Sequence, residues 1–341
     1  MRILIVKLGS IGDVVHCLPA LSYIREKLPG AEIIWAVEEK AYGILEKNPL
    51  IDKIILLKSR SISALLESVY NLRRLGASVA LDFQGLLKSS FLAFLSGSKR
   101  RIGFASDVLR EPESRFFLSE QVEIPQKTHV IKKNLLLVSK AFGFDLLPER
   151  LQFPIFTEQA EKREATSVIE LVGESFAILN PAAAWKTKLW NAENFGFLAD
   201  RLWEEFGIRS VVSVARNEYD LAQRVLQASK TKQTVLASLS LKGFYELAKK
   251  AKIYVGGDTG PTHIAVAAGT PIVGIFGPTE WWRNGSPYRE DICVERRDIA
   301  CRVNCHRRSC GNWICMNISV DHVFEAVRRR LLSGKSQTLS F

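Results

Sequence analysis

The stretch KIYVGGDTGPTHIAVAAGTPIVGIF, residues 252–276, carries the clearest fold signal in the chain. Lys252 to Gly256 is a short apolar run that reads as a buried strand. Gly256-Gly257-Asp258-Thr259-Gly260 is a glycine-rich turn, and Pro261 suits the first position of a helix. That helix reaches Ala268, and Pro271 to Phe276 reads as a second strand. Strand, glycine turn, helix and strand within 25 residues make a βαβ unit, hence a parallel sheet.

The same alternation extends outward from this unit. Upstream, Phe176 to Asn180, Ile208 to Ala215 and Thr234 to Ala237 read as strands. Helical stretches Ala192 to Phe206, Glu218 to Ala228 and Leu241 to Lys250 lie among them. Near the N-terminus, RILIVKL (Arg2 to Leu8) is a buried strand, and Asp13 to Leu28 reads as one helix closed by Pro29-Gly30. Strands at Ile33 to Val37, Asp52 to Leu57 and Ser78 to Asp82 follow, with helices at Ile62 to Leu75 and Leu86 to Leu95. Lys99 to Arg115 reads as an irregular basic stretch, and His129 to Phe142 as a helix. Pro148, Pro154 and the polar run 157–164 mark a junction. The expected fold class is therefore α/β, with two facing Rossmann-like doubly wound domains. The first spans residues 1–155 and the second 156–319. A C-terminal helix and tail, 320–341, are expected to pack back on the first domain, with the tail frayed beyond Ser333.

Composition narrows the function classes. Over 341 residues, 47% are hydrophobic and 24% charged, which fits a globular chain with large cores. The longest uncharged run, Thr259 to Thr279, is broken by three prolines and cannot span a bilayer. The four-residue apolar run after Met1-Arg2 is too short for a secretory leader, so a cytoplasmic protein is expected. A net charge of +11 favours an anionic partner. No nucleic-acid motif is present, and no nucleic-acid partner is expected.

Ligands of open α/β sheets bind beyond the carboxyl ends of the strands, so the loops there carry the candidates. Gly9-Ser10-Ile11-Gly12-Asp13 follows the first strand. Its spacing is not that of a dinucleotide fingerprint, which argues against a dehydrogenase. Asp13 is either a helix cap or a general base at a cleft. Thr259 and Gly260 open a helix N-terminus suited to phosphate, without the Walker lysine. Asp258 is a cap or a hydroxyl acceptor, and His263 a structural residue or a ligand. NPAAAWKTKLW, Asn180 to Trp190, sets two lysines beside tryptophans, either for a pyrophosphate or as an ordinary surface loop. Glu218 reads as a ribose ligand or as a first-turn glutamate. Lys99, Arg100, Arg101, Arg110 and Arg115 suit an acceptor loop at a membrane face or a solvated surface. Cys301, Cys305, Cys310 and Cys315 lie within fifteen residues, as metal ligands or as a thiol-rich loop. No Asp-x-Asp is present, so phosphate charge falls to lysine and helix ends.

Four segments together resemble a known family. They are ILIVKLGSIGDVVHCLPAL (3–21), LDFQGLLKS (81–89), LREP (109–112) and VGGDTGPTHIAVAAGTPIVGIFGPT (255–279). The chain resembles the lipopolysaccharide heptosyltransferases of glycosyltransferase family 9, which are inverting enzymes of the GT-B fold. The second and third segments look most like the heptosyltransferase I branch. That resemblance implies transfer of heptose from ADP-L-glycero-D-manno-heptose to the 3-deoxy-octulosonic acid (Kdo) of Kdo-lipid A. It implies no cofactor and no metal, at the cytoplasmic face of the inner membrane. Asp13 matches the catalytic base, and Gly12 beside it is expected to bind the acceptor. Lys188 matches the phosphate-binding lysine, Glu218 the ribose ligand and Asp258 the holder of heptose hydroxyls. Thr259 and Gly260 match the pyrophosphate donors, with His263 in the same motif. Arg60 and Arg110 match basic residues that meet the acceptor. Ala183 and Ala184 stand where the family often has hydroxyl residues, with Thr187 as the replacement. The variants of this reading are a later core step, as in heptosyltransferase II, and a GT-B-like sugar-nucleotide epimerase.

Overall fold

The computed structural model describes residues 1–57, 62–106, 109–302, 305, 307–334 and 337–341. The chain divides into two units, Met1–Phe156 and Thr157–Phe341.

In the first unit, β1 (Arg2–Val6) is buried from its second residue onward. Both of its faces are covered, so its side chains are apolar without alternation. It pairs in parallel with β2 (Glu32–Glu38) and β4 (Val79–Asp82). Outward lie β3 (Lys53–Leu57) on one side, and β5 (Arg100–Phe104) and β6 (Glu120–Val122) on the other. The order is β3-β2-β1-β4-β5-β6, all parallel. In the second unit, β7 (Phe176–Asn180) is central, with β8 (Arg209–Ser213) and β9 (Thr234–Ala237) to one side. On the other side are β10 (Ile253–Gly256), β11 (Ile272–Ile275) and β12 (Ile292–Val294). Read from its outer edge, this order is β9-β8-β7-β10-β11-β12, the first unit's topology repeated. The strand order reverses between β1 and β4 and between β7 and β10, and the connections there open a ligand crevice in each unit.

Three sequence expectations change. The N-terminal helix is two helices, α1 (Ile11–Val15) and α2 (Leu18–Lys27). Pro19 sits in the first turn of α2, and its ring excludes the carbonyl of Val15, so α1 stops there. The basic stretch from Lys99 is largely ordered structure. Arg100 lies in β5 and forms a two-point ion pair with Glu120 of β6, both bonds at 2.7 Å. Arg101 donates to the carbonyls of Phe117 and Ser98. These two arginines therefore hold the sheet edge rather than forming an acceptor loop. The third change is at the C-terminus. The last helix (Val320–Leu332) buries Val323, Phe324, Ala326 and Val327 in the second unit's core. It is an integral layer of that unit. Tail residues return as well: Thr338 and Ser340 hydrogen-bond with Arg289 and Pro287, and Leu339 bridges Tyr288. The tail residues described, 337–341, are thus held by the second unit rather than frayed.

Candidate active site

In the second unit the crevice is lined by the connections that leave β7 and β10. Asn180 and Gly256 are register partners at the ends of these strands. The connection after β7 turns through a short 3-10 segment, Lys186–Lys188. The connection after β10 enters an eight-residue helix, Gly260–Ala267. The two connections touch. A Cβ on Gly257 would stand 3.3 Å from the Lys188 carbonyl, so this close approach favours glycine.

Three sequence candidates meet here around one carboxylate. Lys188 Nζ donates to Asp258 Oδ2 at 2.6 Å and to the Asp258 carbonyl at 3.1 Å. Asp258 Oδ1 accepts from Asn284 Nδ2 at 2.6 Å and lies 3.2 Å from His263 Nε2. Asp258 is buried and Lys188 partly so, with side chains 7% and 13% exposed. Burial alone would raise the Asp258 carboxyl. The hydrogen bond with His263 and the charge of Lys188 outweigh it and hold Asp258 well below the usual carboxylate range. Lys188 Nζ also sits 4.3 Å from the centre of the Trp185 ring, a cation–π contact. Asp258 is therefore an ionised hub that fixes one ammonium at the start of a helix.

Thr259 caps that helix in extended conformation, and Gly260 is its first residue. The first N–H groups of a helix lack intrahelical carbonyl partners and favour an anion. Thr262 stiffens the turn. Its hydroxyl donates to the Gly257 carbonyl and contacts Thr259 Oγ1 and Tyr254 OH.

Two donor-side candidates have other occupations. Thr187 is buried, and its hydroxyl donates to the Arg307 carbonyl at 2.7 Å. Glu218 accepts from the Ala215 N–H at 2.9 Å, closing its own turn. Asn284 and Trp185 join the site although neither was singled out as a ligand. Trp185 could have been found from its place beside Lys188; Asn284 carried no signal.

The cysteine-rich segment lies beside this loop. Cys301, Cys305, Cys310 and Cys315 line one cavity together with Thr187 and Trp313. Trp313 Nε1 donates to the Thr187 carbonyl at 3.1 Å, so the segment braces the Lys188 loop. Burial and the neighbouring thiols push Cys315 up, while backbone N–H groups of Trp313 and Asn312 lower Cys310. Among the described residues, no three His, Cys, Asp or Glu side chains are gathered as a metal site.

In the first unit the crevice lies between the ends of β1 and β4. Lys7 is buried, donates to the Phe83 carbonyl at 2.9 Å and stands 3.7 Å from Asp13 Oδ1. Asp13 Oδ2 accepts from Ser10 N–H at 3.0 Å. Asp13 Oδ2 thus closes a capping box at the start of α1, whose N-cap is Ser10, while the carboxylate remains 39% exposed beside a cation. Gly12 is buried in α1. Asp82 ends β4, wholly buried, and accepts from the Gln84 and Gly85 N–H groups. Burial pushes it up to about 6. Arg110 is exposed on the connection after β5. Arg60 lies outside the described residues.

A structure of a family 9 glycosyltransferase from Veillonella parvula DSM 2008 superposes with a TM-score of 0.81 at 21% identity, covering 98% of this chain and 97% of that one. E. coli heptosyltransferase WaaC with ADP superposes at 0.75 and 23% identity, covering 97% and 100%. The architecture is that of the GT-B class, α/β with two doubly wound units. Among curated proteins, lipopolysaccharide heptosyltransferase 1 of Campylobacter coli is 28% identical over 295 residues, 83% of this chain and 86% of that protein. Residues 68–312 match glycosyltransferase family 9 (heptosyltransferase), and the chain belongs to that family.

Proposed function

We propose that this chain transfers heptose from ADP-L-glycero-D-manno-heptose, with inversion and without a metal, to the Kdo of Kdo-lipid A. The observation that supports this best is the Lys188 ammonium, fixed by Asp258 beside the N-terminus of the Gly260–Ala267 helix. Negative charge grows on a departing diphosphate, and an ammonium with aligned N–H groups stabilises it there. Asp13 takes the proton from the acceptor hydroxyl. The freed oxygen attacks the anomeric carbon as the bond to the diphosphate breaks, and ADP leaves. Asp258, with both carboxylate oxygens already engaged, acts mainly by positioning Lys188. Arg110 and Arg60 are assigned to the acidic groups of the acceptor. Thr187 and Glu218 remain donor contacts only if the nucleotide displaces or shares their present bonds.

The names of the relatives support the acceptor class, and the WaaC structure was solved with ADP. A lipid-linked acceptor places the reaction at the cytoplasmic face of the inner membrane. No helix among the described residues is long and apolar enough to cross it. The test is ADP release from ADP-heptose with EDTA present, with and without a Kdo-bearing lipid A. Release that depends on this acceptor and survives EDTA supports the proposal. Release only with a heptose-bearing acceptor moves the step further along the core. No release with either acceptor removes the donor assignment.

A further inference from the structure

Helix Leu87–Leu95 has an apolar face that the sheet does not use. Ser90, Leu92 and Ala93 are turned inward and buried. Leu87, Phe91 and Phe94, at positions i, i+4 and i+7, form a second stripe and are 40%, 44% and 49% exposed. The 3-10 segment Pro112–Phe117 extends this stripe. Phe117 packs on Phe91 and Phe94 with ring centres 5.1 and 5.9 Å away, and Phe116 is 72% exposed. A contiguous set of exposed rings costs solubility, and such patches mark interaction surfaces.

The surroundings of the patch say what covers it. The Arg101 guanidinium lies 5.6 Å from the Phe94 ring and that of Arg115 lies 5.1 Å from Phe116. Lys99 is exposed on the turn that leads into β5. Rings that enter the acyl boundary, flanked by cations that meet phosphates, are the two parts of an interfacial anchor. A chain with a net charge of +11 adds attraction to an anionic surface. We propose that this aromatic face of the first unit docks on an anionic lipid bilayer, with Phe91, Phe94 and Phe116 inserted and Lys99 and Arg115 at the headgroups. This deepens the reading of a lipid-linked acceptor and rests on it: the patch would keep the first unit at the surface where that acceptor is embedded.

The test is co-sedimentation with vesicles and uses no sugar nucleotide, so it fails or succeeds independently of the transfer assay. The protein should pellet with phosphatidylcholine–phosphatidylglycerol vesicles, more weakly at high salt, and poorly with phosphatidylcholine alone. Phe94→Gln/Phe116→Gln should lower partitioning by about tenfold or more. Lys99→Gln/Arg115→Gln should weaken it and flatten the salt dependence, a readout that survives if the ring variant folds poorly. Thermal unfolding checks both variants. Unchanged sedimentation of the folded variants would overturn the proposal. So would equal binding to both vesicle types. A dimer in light scattering that dissociates in Phe94→Gln/Phe116→Gln would give the face to a second copy and overturn it too.

Discussion

Lys188 depends on its neighbours for its position. Its stem carries four flexible bonds, yet contacts with the Asp258 carboxylate, the Asp258 carbonyl and the Trp185 ring fix the ammonium. Substitution should therefore affect both catalysis and the loop. Lys188→Gln removes the charge beside the helix N-terminus, and turnover should fall by about 10²–10³ with weaker ADP binding by calorimetry. It also leaves Asp258 buried with its principal cation gone. In the native chain Asp258 is depressed, so its contribution to stability is present at neutral pH and is lost as pH falls through the folded value. The variant should lose part of that contribution at neutral pH, read as a lower melting temperature. Asp82 shows the opposite sign. Its carboxyl is raised to about 6 by burial, so the folded state binds its proton more tightly than the unfolded chain does. Stability falls as pH rises from about 4 to about 6 and stays lowered above that. Asp82→Asn keeps an acceptor for Gln84 and Gly85 and cannot ionise. It should melt higher than the native protein near about pH 8, with the gap closing near about pH 4.

At the scale of elements, strands and helices with a strong apolar period were readable, and those written in charged residues were not. β7 and the helix Val320–Leu332 carry strong local patterns and span the residues those patterns mark. β5 begins Arg100-Arg101, which reads as a solvated run until Glu120 on the neighbouring strand supplies its partner. That partner is twenty residues away, and no local window contains it. The break between α1 and α2 was legible in principle, because Pro19 forbids a continuous helix, but the apolar period runs through it. The site divides in the same way. Asp258 and Thr259 sit in a glycine turn at a strand end, and Gly260 and Asp13 lie in the first turns of the helices that follow such turns, where chemistry is expected. Which carboxylate meets Lys188 depends on the β7–β10 pairing, and that Asn284 completes the cluster depends on the β10–β11 pairing. Arg330 is a charged residue whose burial no local window shows. The last of three consecutive arginines, it is buried and pairs with Asp291 at 2.8 Å. Arg330→Met should strand a buried carboxylate and cost about 3–5 kcal/mol. Adding Asp291→Asn should restore part of the loss in denaturant titrations, since the stranded charge is then removed.

For the whole molecule, one topology is used twice, and each unit gathers its polar side chains where the strand order reverses. The second unit concentrates positive charge, from Lys188 and a helix N-terminus, where a diphosphate would be held. The first unit holds a carboxylate beside a buried lysine, where an acceptor hydroxyl would be deprotonated. Under the proposed function, donor chemistry and acceptor chemistry belong to different units of one chain, which makes them separable by mutation. The most direct measurement compares acceptor-dependent ADP release by Asp13→Ala and the native protein in EDTA, with ADP affinity measured alongside. Turnover should fall by about 10²–10⁴ with ADP binding nearly intact. Loss of the α1 cap should cost only about 1 kcal/mol. Near-normal turnover by Asp13→Ala would rule out Asp13 as the general base and leave it as a helix-capping residue alone.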